Sequence, residues 1–96
     1  MENNISEKEY IEREASRFAE NYGHAYEDAR SALARSYKYY RDIGEGEETA
    51  RENALDLLAS AHVQAPLVGF SLRCMIDHML YSIFHRTQTL AMQKKA

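Results

Sequence analysis

Leu72-Arg73-Cys74-Met75-Ile76-Asp77-His78-Met79-Leu80-Tyr81-Ser82-Ile83-Phe84 is the stretch on which the fold turns. At one residue every 100°, Leu72, Met75, Ile76, Met79, Leu80, Ile83 and Phe84 spread over roughly half the circumference of a helix, wider than the ~100° stripe of a surface helix. Arg73, Cys74, Asp77, His78, Tyr81, Ser82 and His85 take the other half. This two-faced spacing predicts a central helix that touches two neighbours at once, and it excludes a membrane anchor.

Working upstream, Pro66 suits the first turn of that helix, and the residue before a proline is biased away from helical dihedrals. The last helix is therefore predicted over about 66–93, with Lys94 and Lys95 beside its negative end. Before it, Ala50, Ala54, Leu57, Leu58 and Ala61 recur at steps of three and four and predict a helix over about 48–64. Thr49 and Glu52 have capping-box spacing at its start, where Glu47 and Glu48 also suit the positive end of the helix dipole. Ile43-Gly44-Glu45-Gly46 is the clearest boundary in the chain, because Gly44 can take the left-handed conformation that ends a helix.

Everything before that boundary reads as one element. Ser6 with Glu9 forms a capping box. Apolar or small residues then follow at Ile11, Ala15, Phe18, Tyr22, Tyr26, Ala29, Leu33, Ser36, Tyr40 and Ile43. The stripe keeps its phase through Gly23, and no Ser, Thr, Asp or Asn closely follows that glycine to cap a new helix. A continuous or kinked helix over about 6–42 is expected, with a corner at Gly23 as the alternative. The fold class is all-α, a single domain over 1–96 built as a small bundle of three long helices, or four if Gly23 is a corner.

Composition agrees. Of 96 residues, 45% are apolar and 28% charged, inside the globular range, with one Pro and four Gly to interrupt helices. No basic segment followed by an apolar run opens the chain, and there is a single cysteine, so a cytoplasmic location is expected. The net charge of −3 and pI near 5.8 lack the basic excess of a nucleic-acid-binding domain. Residues 1–48 carry twelve acids against seven bases, whereas residues 49–96 carry three against five, an asymmetry that suits antiparallel or head-to-tail pairing of two copies.

No pattern for phosphate cradling, nucleophilic catalysis or paired metal ligation occurs, so no cofactor and no enzymatic activity are expected. Cys74 and His78 lie one helical turn apart and, with His62, are the weak candidates for a metal or ligand sensor that His85 could extend. Two ligands on one turn do not make a site. Between Asp28 and Asp42 there is no acid, and Arg30, Arg35, Lys38 and Arg41 interleave with Tyr37, Tyr39 and Tyr40. Basic residues interleaved with aromatic ones suit single-stranded nucleic acid. They suit a protein interface better, since Tyr and Arg dominate interface hot spots. Tyr39 stands about 160° from Tyr37 and shares its side of the helix with Arg35, so both are expected to be exposed. The expected function is a non-catalytic protein-interaction module, regulatory, inhibitory or adaptor-like, that binds another protein through Arg35, Lys38, Tyr39 and Arg41 and forms a homodimer. Inhibitors made by phages and mobile elements share this size and class. The alternatives are a nucleic-acid-binding regulator using the Arg30–Arg41 patch and the metal or ligand sensor.

Overall fold

The computed structural model describes residues 6–95, and side chains over residues 6–83. Among the described residues the chain is all helix and turn, with α1 at Glu7–Tyr22, α2 at Tyr26–Asp42, α3 at Glu47–Val68 and α4 at Leu72–Lys95. No single described helix is long and apolar enough to cross a membrane. Phe84 and His85 carry side chains outside the described set.

The start of α1 follows its sequence signal. The Ser6 hydroxyl accepts the Glu9 N–H at 3.1 Å, and the Glu9 carboxylate accepts the Ser6 N–H at the same distance. The first long helix does not continue, however. Gly23 adopts φ 74° and ψ 37°, its N–H and that of His24 both bond the Ala19 carbonyl, and α2 restarts after Ala25. The bundle thus has four helices. Ala25 supplies no side-chain cap, and Glu27 and Asp28 in the first turn complement the dipole instead. Phase continuity misleads here because periodicity reports which side chains face a core, not whether the backbone between them is straight. Tyr22 and Tyr26, expected on the buried stripe, flank the corner and stand 51% and 42% exposed.

Two further boundaries move. Gly46, not Thr49, caps α3, and no side chain bonds this end, so the helix begins without the expected capping box. Pro66 lies in the last turn of α3, not the first turn of α4. There it leaves the His62 carbonyl, one turn earlier, without its helical donor, and Gly69, at φ 72°, closes the helix three residues later, with the Phe70 N–H bonded to the Ala65 carbonyl at 3.0 Å. Helix α4 leaves this corner bent by 107° from α3. Its first amides are capped from across the molecule. The two oxygens of Asp28, on α2, accept the N–H groups of Leu72 and Arg73 at 2.9 Å each, and the Ser71 hydroxyl accepts that of Cys74.

The central helix is α2, which packs against α1, α3 and α4. That position was expected for the last helix. Small residues explain the exchange: Ala29, Ala32 and Ser36 are fully buried and let neighbouring helices approach α2 closely, with Leu33 filling the space between them. The Ser36 hydroxyl is satisfied by the Ala32 carbonyl at 2.9 Å. On α3 the buried face is again small, at Ala50, Ala54, Ala61 and Ala65 around Leu57 and Leu58, and on α4 it is Leu72, Met75, Ile76 and Leu80. Tyr10 joins α1 to α3, its ring under the Arg51 guanidinium at 4.4 Å and its hydroxyl donating to the Arg51 carbonyl. Burial pushes the Tyr10 phenol up to about 12, with Glu14 adding to the effect and Arg51 opposing it. The molecule measures 47 × 38 × 15 Å.

Candidate protein-binding surface

Arg35 projects from α2 towards α4, where Asp77 sits one turn beyond Arg73. The Arg35 Nε donates to Asp77 Oδ1 at 3.1 Å and the Arg73 Nε to Asp77 Oδ2 at 3.0 Å, so one carboxylate is bracketed by two guanidinium groups. All three are nearly half exposed, and water screens such pairs to at most about 1 kcal/mol of stability. Beside this triad, Arg35, Tyr39, Asp77, Leu80 and Tyr81 line an open cleft of about 310 Å³ between α2 and α4.

The cleft unites two of the four residues expected to bind a partner, Arg35 and Tyr39. Lys38 and Arg41 are held elsewhere, Lys38 by Asp42 at 2.8 Å and Arg41 by the Glu45 carbonyl at 3.1 Å. Arg35 is exposed as expected, but Tyr39 is half-buried, packed against the core and edge-on to Tyr40 at 5.2 Å. The reason lies in helical geometry. Tyr39 follows the buried Ala32 by seven residues and returns to its side of α2, and a helix enclosed by three others buries a wider arc than one stripe suggests. Burial also raises the Tyr40 phenol, with Glu45 next in effect.

The basic patch is largely neutralised within the chain. Arg30 forks onto the Glu27 carboxylate, with contacts of 2.6 to 2.9 Å, while Arg35 and Lys38 hold Asp77 and Asp42. Glu27 is thereby shifted down and Arg30 up.

The weak metal candidates are dispersed. His62 meets His24, not Cys74 or His78, with Nε2 of His24 and Nδ1 of His62 2.8 Å apart. Phe18 stacks on His24 and stands edge-on to His62, and Tyr22 packs on His62 at 4.8 Å. Burial lowers the pKa of His24, His62 lowers it further, and Asp28 opposes both. Cys74 is exposed, and His78 lies edge-on to Phe70. Among the described residues no three His, Cys, Asp or Glu side chains gather as metal ligands. His85 falls outside the described side chains. The His24–His62 pair and the Asp28 cap had no signal in the sequence, since their members lie 38 and at least 44 residues apart. No family model, curated protein or solved structure matches this chain.

Proposed function

We propose that the chain is a non-catalytic protein-binding module, inhibitory or adaptor-like, that grips a partner protein at the α2–α4 cleft. One observation carries this reading. Arg35, Tyr39 and Tyr81 surround an apolar floor, Leu80, in an open groove between two helices, the residue types and relief on which interface hot spots are built. Asp77 pairs with both Arg35 and Arg73 and so holds the Arg35 guanidinium beside the cleft. The nucleic-acid alternative is disfavoured because three of its four basic side chains already face carboxylates, leaving little charge to displace counterions from phosphate.

The test is capture from host lysate on immobilised protein, followed by affinity measurement with the captured partner. Arg35→Glu and Tyr39→Ala should each weaken binding at least tenfold, about 1.4 kcal/mol, while circular dichroism shows helix content unchanged. Undiminished binding by both variants would refute the cleft as the docking site. Salt-sensitive binding of oligonucleotides, lost in Arg35→Glu, would transfer the function to the nucleic-acid class.

A further inference from the structure

Opposite its buried face, α3 carries a stripe that points to solvent. Val63 is 66% and Leu67 80% exposed, with Ala59 one turn before them. At the corner that follows, Val68 and Phe70 stand 57% and 41% exposed. Between Leu57 and Leu72 the chain has no charged residue. We propose that this face docks a second copy of the chain, the two α3 helices running antiparallel about a twofold axis at Val63.

The size of the stripe residues and the placement of its acids support a second copy as the occupant. Ala59, Val63 and Leu67 rise in size at steps of four residues, so antiparallel pairing about Val63 sets Leu67 of one copy over Ala59 of the other and Val63 over its own equivalent. Large meets small at each end, which a self-complementary interface requires. The same stripe continues towards the N-terminus through Asp56 and Glu52, both exposed. Parallel pairing would set these acids against themselves. Antiparallel pairing places the two Asp56 positions about 21 Å apart along the axis at ~1.5 Å per residue, well beyond the ~8 Å screening length of physiological salt.

Val63 and Leu67 are the large exposed apolar side chains on this stripe, while Val68 and Phe70 lie around the corner from it. Ser60 and Gln64 form its polar rim. One narrow helix face on each copy makes a reversible dimer, not an obligate one. The surface is separate from the α2–α4 cleft, so either proposal can fail alone.

Sedimentation velocity on the full chain from ~1 μM to ~1 mM should show a monomer giving way to dimer, and a monomer throughout would overturn the proposal. Val63→Glu and Val63→Lys each place like charges across the axis and should weaken self-association at least tenfold. Both substitutions fall on an exposed position, and helix content and melting at dilute concentration check that the fold persists. Mixed in equal amounts, the two variants should form a one-to-one dimer, because opposite charges now meet at the axis. A mixture that stays monomeric, or a Val63→Glu variant that dimerises like the parent, would overturn the pairing. Leu67→Glu should show the same loss, and undiminished dimerisation there would also count against it.

Discussion

Single side chains do tertiary work in this molecule that their neighbours in sequence do not reveal. Asp28 sits in the first turn of α2, yet both carboxylate oxygens close the start of α4. Asp28→Ala leaves two amides without their acceptor and should destabilise by ~1 to 2 kcal/mol, read from urea unfolding. Thr49→Ala should change stability little, because that hydroxyl makes no capping bond and Gly46 starts the helix. The His24–His62 pair predicts a pH dependence. Since the folded state lowers the His24 pKa below its ordinary 6.5, the unfolded chain binds the proton first as pH falls. The pair's contribution is therefore complete above about pH 6.5 and declines below it, through the lowered folded value. Melting temperatures measured between pH 7.5 and 5 should fall on the acid side, and His24→Gln should flatten that fall. An equal acid-side loss in the variant would assign it to other groups.

At the scale of elements, the Gly23 corner separates α1 from α2 and brings His24 to α3. A Cβ added at Gly23 meets nothing within 4 Å, so the penalty of substitution is conformational and not steric. Gly23→Ala should cost about 1 to 2 kcal/mol for the left-handed backbone, lowering the melting temperature by roughly 4 to 8 °C per kcal/mol in a domain of this size. Neutral behaviour would mean that the helix can run straight through residue 23. Pro66 shows the opposite case, in which a residue known for breaking helices sits inside one and the termination falls to Gly69.

Across the whole molecule, stability rests on close approach between helices, with a thin slab of small side chains around a few large ones. Among the described residues, Leu33, Leu58, Leu72 and Ile76 are the largest fully buried apolar side chains. Leu58→Ala should cost ~2 to 5 kcal/mol, a large part of the ~5 to 15 kcal/mol typical of a domain. Ile76→Asp should abolish cooperative unfolding, since it puts a carboxylate at a fully buried position in the apolar core. Denaturant titration followed by circular dichroism checks both. A native-like Ile76→Asp protein would show that α4 can detach from α2 and α3 without collapse of the rest.

The helical class was legible in the sequence because it depends on local terms. The Ser6–Glu9 capping box and the Gly44 turn act over a few residues and stand where they were read, whereas Tyr22, Tyr26 and Ile43, read on the buried stripe, are exposed at the helix ends. The buried positions followed from the same periodicity in Ala15, Leu33, Leu58 and Ile76. Of the candidate surface, the sequence supplied Arg35 and Tyr39 but not Asp77, Leu80 or Tyr81, which reach the cleft from another helix. Tertiary structure alone decided that Gly23 is a corner, that α2 is central, that Tyr39 is half-buried and that His24 meets His62. Each of these depends on the path of the chain between residues far apart, a path set by competition among helix packings that spacing within one helix does not encode.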